Sequence, residues 1–256
     1  MNNEFILSLF SMESIILLSI GIIASMVGAL FGAAGLVTLP AMLLVGIPIH
    51  TSVAVNKFAT GLSAFTNVIT FFIKKKLSFK KTVLIVCIAF SGGIVGAYLA
   101  TLLTENVMNI VACFLLIVAL ITVLTSRKYI NNSPKQEKEQ PIQLYIPFFI
   151  SVYDGGFGPG SASMSITYYL KKKHSYYKAV EFSRIVIFSS CFGAFLWYFF
   201  HGIINWGVAI PITIGSIIGS HLGIKLIPKI PMKWVRVVLP IIFIALIFQV
   251  ISHLLF

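Results

Sequence analysis

Tyr153-Asp-Gly-Gly-Phe-Gly-Pro-Gly160 lies between two apolar runs in the second half of the chain, and Gly28-Ala-Leu-Phe-Gly-Ala-Ala-Gly35 lies between two in the first. Clustered Gly and Pro disfavour an unbroken helix, so each stretch predicts a break that exposes backbone N–H and C=O groups. The surroundings decide what such a break means. Hydrophobic residues fill 58% of 256 positions and charged residues only 10%, with a mean hydropathy of +0.99; soluble domains run at roughly 45–50% apolar and about 25% charged. Lipid is the expected solvent. Exposed backbone at membrane depth is tolerated only inside protein or around a wet cavity. The expectation is an all-α membrane protein whose broken or re-entrant helices border such a cavity.

Outward from the breaks, the apolar segments run from Ser14 to Gly32, Gly35 to Val45, Val53 to Ile73, Thr82 to Leu103 and Val107 to Thr125. A second set runs from Ile142 to Tyr153, Ala162 to Leu170, Ala179 to Phe200, Trp206 to Ile227 and Val235 to Leu255. Between them, Arg127 to Pro141 is polar and without apolar periodicity, the composition of a solvated linker. Residues 1–126 and 142–256 thus read as two membrane repeats joined by a linker at 127–141, each repeat holding two short pieces and then three full spans. The stretch from Phe5 to Phe31 is too long for a signal-peptide core and lacks a basic leader, so it reads as a retained membrane segment.

The halves match in sequence. Phe31-Gly32 followed by Gly35 answers to Phe157-Gly158 followed by Gly160, an offset of about 126; Gly92-x-x-x-Gly96 answers to Gly215-x-x-x-Gly219 at 123. An internal duplication follows, with differing loop lengths expected to account for the drift. Positive charge orients the copies. Of the 19 Lys and Arg, 17 lie in four clusters: Lys74 to Lys81, Arg127 to Lys138, Lys171 to Lys178 and Lys225 to Arg236. These mark the cytoplasmic side. Both termini then lie outside, the linker is cytoplasmic, and the repeats have inverted topology, as in many secondary transporters. The net charge of +12 is absorbed by this pattern, and no nucleic-acid partner is expected.

The two remaining cations are Lys57 and Arg184, 127 positions apart and each near the start of a full span. A charge at the centre of a membrane helix costs about 2.5–3.5 kcal/mol even on the lenient insertion scale. Anion binding and snorkelling to a nearby interface both account for the pair, and Glu181 three residues before Arg184 offers that arginine a helical partner. The helix ends after each break, near Leu36 and Ser161, point N–H groups and a positive dipole into the cavity. Gly32, Gly35, Thr38 and Asn56 in the first half, and Gly158, Gly160, Ser161 and Ser163 in the second, complete the candidate anion site. Close packing of small residues is the plainer reading of single glycines, and of both Gly-x-x-x-Gly pairs. Asp154 either exchanges protons or holds a coupling cation, or sits in water at the cavity mouth. Asn67 and Tyr153 are weaker lining candidates, and His221 reads as a helix-to-helix hydrogen bond. Cys87, Cys113 and Cys191 lie apart in apolar runs and read as plain buried thiols. No Gly-x-Ser-x-Gly elbow, Walker pattern or paired metal-spaced His occurs; no enzyme activity, cofactor or metal is expected.

These residues resemble the TauE/SafE sulfite exporter family, from about Gly21 to Val250. The likeness rests on Gly28 to Gly35 with Pro40 following, on Ala54-Val55-Asn56-Lys57, and on Tyr153 to Gly160; where family members often carry a richer glycine run, this chain has Ala33-Ala34. The resemblance implies a plasma-membrane permease for sulfite, organosulfonates or related small anions, working by alternating access with or without a coupling ion. The partners implied are a small anion and the lipid bilayer, and a homo-oligomer is compatible with the sequence. The alternatives are a non-transporting membrane scaffold or assembly factor and, ranked last, an intramembrane enzyme acting on lipid through Asp154 and His221.

Overall fold

The structure, a computed structural model, describes residues 12–31, 34–73, 79–112, 114, 115, 117, 118, 121 and 140–226. Within them every regular element is a helix. The helices are α1 (Met12–Phe31), α2 (Ala34–Leu44), α3 (Ile49–Ile73), α4 (Phe79–Thr101), α5 (Tyr145–Gly156), α6 (Ser161–Lys171), α7 (Tyr176–Phe200) and α8 (Trp206–Leu226). Residues 105–112 are helical as well. Most of the linker, Gly32 and the last expected span from Val235 to Leu255 lie outside the described residues.

Among these, three helices are long and apolar enough to cross a membrane, over Thr82–Thr101, Lys178–Phe200 and Trp206–Gly223. Large apolar side chains face outward from them, as at Ile214, Ile218 and Leu222 on α8, a spacing that lines one face of a helix and suits contact with lipid. The expected full span in α3 has the length, at 25 residues, yet is less apolar. The reason is a run of polar residues turned inward: Ser52, Asn56, Lys57, Ser63 and Asn67 are all buried. The expectation of two short pieces at the head of each half also needs correction. α1 has 20 residues and α5 only 12, about 30 Å against about 18 Å of helix. Pro141 and the polar linker limit α5 at its start, whereas the apolar run of α1 extends back to Met12.

The helix starts of the two halves keep one spacing. Ile49 and Tyr176 begin α3 and α7, 127 positions apart; α2 and α4 are described from Ala34 and Phe79, the same interval before Ser161 and Trp206 at the starts of α6 and α8. The drift inferred from the Gly-x-x-x-Gly pairs is therefore absent between these helices. At an offset of 127, Gly92 and Gly96 correspond to Gly219 and Gly223, one helical turn beyond the pair that sequence alone suggested.

Packing between halves follows from small residues. A Cβ on Gly92 would lie 2.8 Å from Phe148 O, and one on Gly96 would overlap Val152 O, so α4 and α5 touch backbone to backbone. Gly215 and Gly219 meet Leu18 O and Ile22 O of α1 in the same way. Both Gly-x-x-x-Gly pairs are thus helix contact faces, as their sequence suggested. In each of these two contacts, residue numbers rise together, so the helices run parallel. α3 and α7 run antiparallel: Phe58 stacks near Phe195 and Phe65 near Phe188, each pair 5.1 Å between ring centroids, with Gly61 against Cys191 between them.

Candidate functional site

At the crossing of α3 and α7 the apolar core gives way to a cluster of polar side chains. Lys57 is the ninth residue of α3 and is 1% exposed, and its ammonium lies 3.3 Å from Asp154 Oδ1. Snorkelling is therefore not how this lysine is accommodated. Asp154, near the end of α5, is 2% exposed, which removes the expectation of a carboxylate in water at a cavity mouth. The carboxylate is an acceptor for four donors. Ser161 Oγ donates to Oδ1 at 2.6 Å, Ser190 Oγ donates to Oδ2, and the Cys191 thiol donates to Oδ2 at 3.4 Å. Hydrogen bonds to a charged group are about twice as strong as neutral ones, and a buried ion pair persists only when its remaining lone pairs are satisfied in this way.

The second glycine break is what lets the lysine reach the acid. Gly158 has a φ of 101°, a conformation that L side chains rarely adopt, and a Cβ there would overlap Lys57 Nζ. Only glycine leaves room for the ammonium beside the turn. Gly160, with a φ of 81°, is the N-cap of α6 and makes no side-chain cap bond, so that helix begins at Ser161 as the sequence suggested. Tyr153 braces the turn by donating from its hydroxyl to Pro159 O at 2.6 Å. The first break comes to the same place: a Cβ on Gly35 would lie 3.3 Å from Asn56 Nδ2 and 3.5 Å from Pro159 Cα. The two breaks meet beside α3.

Other expected residues are placed differently. Arg184 is half-buried as the ninth residue of α7, the position Lys57 holds in α3. Six residues, about 9 Å of helix, separate it from Ser190 on α7; the cation bonded to Asp154 is Lys57. Thr38 gives its hydroxyl hydrogen to Ala34 O at 2.9 Å within its own helix, so it offers no donor to a ligand here; Ser163 is buried in the first turn of α6. Asn67 Nδ2 donates to Ser63 O at 3.0 Å and Ser220 Oγ at 3.4 Å, tying α3 to α8. His221 is exposed, and its ring Nδ1 lies 2.9 Å from Ile217 O of the same helix, so it makes no bond between helices. Asp154 and His221 do not meet.

Sequence reasoning missed Ser190 and Cys191. The signal was Ser189-Ser190-Cys191 in the middle of an apolar span, small polar groups placed where a buried acceptor has to be satisfied. Of the three thiols expected to be buried, Cys191 is, as a partner of the acid and not a plain thiol; Cys87 is exposed, and Cys113 lies outside the described residues. Among the described residues no group of His, Cys, Asp and Glu has the arrangement of a metal site.

Residues 17–250 match the family described as sulfite exporter TauE/SafE. The chain belongs to the sulfite exporter TauE/SafE family. It is accordingly a membrane protein of a transporter family, and the cluster around Lys57 lies inside the part that defines this TauE/SafE chain. Relatives are similar over most of their length. A "Probable membrane transporter protein" of Haemophilus influenzae is 28% identical over 83% of this chain and 84% of its own. The "Probable membrane transporter protein ORF9" of Sinorhizobium is 25% identical over 88% and 87%. The "Probable membrane transporter protein YdhB" of Bacillus subtilis is 24% identical over 86% and 92%. No solved structure matches this TauE/SafE protein.

Proposed function

We propose that this chain is a plasma-membrane permease that moves a small anion such as sulfite, an organosulfonate or a related sulfur-containing anion by alternating access between two inverted repeats. The observation that carries the reading is Lys57, a cation with 1% exposure placed where the two glycine breaks meet. A cation inside a membrane protein is costly even when paired, and its position beside the amino end of α6, with hydroxyls of Ser161 and Ser190 at hand, is the chemistry of an oxyanion site. Lys57 supplies charge. Gly158, Gly160, Ser161 and Ser163 frame the site from the second half; Gly35 and Asn56 frame it from the first. Arg184 meets the anion on the opposite half of the path, and Asp154 is the group that couples transport to a proton or cation.

Support for the inverted arrangement comes from direction and spacing together. The constant offset of 127 makes α3 and α7 equivalent, and they run antiparallel. The contacts exchange between halves: α1 lies parallel to α8, and α4, the counterpart of α8, lies parallel to α5. With the basic loops on the cytoplasmic side, both termini fall outside and residues 127–141 form a cytoplasmic linker between repeats 1–126 and 142–256. Breaks near the bilayer midplane at the repeat interface are where secondary transporters bind substrate.

The test is uptake of radiolabelled sulfite and of methanesulfonate into proteoliposomes holding the purified chain, with and without a pH gradient. Saturable uptake of either, competed by the unlabelled anion, is expected. Folded protein that carries neither anion contradicts the reading and favours a membrane scaffold.

A further inference from the structure

Asp154 stands where a substrate anion would stand. Its Oδ1 receives the Lys57 ammonium and the Ser161 hydroxyl at the amino end of α6, and its Oδ2 receives the Ser190 hydroxyl and the Cys191 thiol. Among the described residues Lys57 donates to Asp154 and to no other acceptor. A sulfonate or sulfite presents an oxygen–sulfur–oxygen edge much like the oxygen–carbon–oxygen edge of a carboxylate. The site is thus already filled, by the protein's own anion.

That has a consequence for charge. One buried ammonium cannot hold two anions, because like charges brought together away from water oppose each other's ionisation. Asp154 is faced from α3 by Lys57, from α6 by Ser161 and from α7 by Ser190 and Cys191, while Tyr198 of α7 donates to Gly155 O. α4 presents backbone at Gly92, Gly93 and Gly96, and Tyr153 on α5 itself turns to Pro159. Lys57 is the cation paired with the carboxylate.

We infer that Asp154 is an internal counter-anion that takes up one proton each time a substrate anion binds Lys57, so that one proton travels with each monovalent anion. The inference rests on Lys57 being the anion site. A proton from water on the loading side joins a carboxylate oxygen of Asp154; the Lys57 hydrogen bond passes from that carboxylate to an oxygen of the anion. On release the anion and the proton leave together, and the ion pair between Lys57 and Asp154 forms again. Net charge moved per cycle is zero.

Methanesulfonate is the probe, since it stays ionised and any proton dependence then belongs to the protein. In wild-type proteoliposomes, a gradient one pH unit more acid outside is expected to drive accumulation towards a limit of about tenfold. Membrane potentials of either sign, set with potassium and valinomycin, should leave the initial rate unchanged. Asp154→Asn keeps the shape and removes the charge: accumulation should fall to the equilibrium level while exchange of labelled for unlabelled anion continues. Wild-type uptake that follows the potential and ignores the pH gradient overturns the inference, as does an Asp154→Asn protein that still accumulates. Where that variant does not fold, the potential measurement on the wild type decides alone. Absence of flux for methanesulfonate and sulfite alike overturns the transport reading itself, an outcome distinct from electrogenic wild-type flux.

Discussion

Lys57 owes its place in an apolar interior to Asp154, and the two are unequal to replace singly or together. Asp154→Ala leaves the ammonium buried without its counter-charge, a change that costs about 3–5 kcal/mol in comparable pairs. Lys57→Met combined with Asp154→Leu removes both charges and is expected to recover most of that loss. Denaturant unfolding in detergent, followed by circular dichroism, measures the difference; equal losses for the single and double variants would contradict a paired role. Gly158→Ala should cost about 1–3 kcal/mol through its positive φ alone, and it also crowds Lys57 Nζ. Its transport should fall further than its stability, with Gly46→Ala as the comparison, since Gly46 has a φ of 83° but nothing within 4 Å of an added Cβ. The sequence identifies both charged residues but not their partnership. They lie 97 positions apart, and spacing along a chain reports only neighbours on one helix.

Helices in this chain meet through backbone, because lipid gives apolar side chains no reason to prefer one another. Gly96→Val and Gly219→Val each place side-chain atoms against a carbonyl of the facing helix, Val152 O and Ile22 O. Both should lower thermal stability in detergent by several degrees and reduce the folded yield. Gly207→Ala meets only Asn205 Oδ1, at 3.3 Å in the exposed first turn of α8, and should change stability by no more than about 0.5 kcal/mol. Equal effects at all three positions would contradict the packing described. These contacts were legible in the Gly-x-x-x-Gly pairs, but their register was not. Gly215, Gly219 and Gly223 continue the motif over about two turns, so sequence matching had two equivalent alignments, and the spacing of Ile49 and Tyr176 at the starts of α3 and α7 favours the later one.

At the scale of the molecule, an all-helical membrane protein could be read from composition, and two copies were suggested by glycine stretches that recur at an offset of about 126, an offset at which the basic clusters do not recur. The direction of α3 against α7 could not, because it depends on which faces interlock. Proposed topology is checked by labelling intact cells with a membrane-impermeant maleimide. Gly202→Cys, in the turn between α7 and α8, should react from outside, and Lys172→Cys, at the end of α6, should react only after the membrane is opened. Reaction of both from outside would contradict α7 crossing the membrane, and with it the proposed topology. The site was legible only in outline: Arg184 matches Lys57 in helix position and stands about 9 Å of helix from Ser190, and helix position alone gave no sign that Asp154 pairs with Lys57.

The most direct test of an anion site at Lys57 is counterflow of labelled sulfite in proteoliposomes preloaded with unlabelled sulfite, comparing wild type with Lys57→Ala. A variant that inserts and folds but exchanges at least about tenfold more slowly is the predicted result, the loss of roughly 1.4 kcal/mol or more of anion stabilisation. Exchange at the wild-type rate and with the wild-type concentration dependence would contradict it.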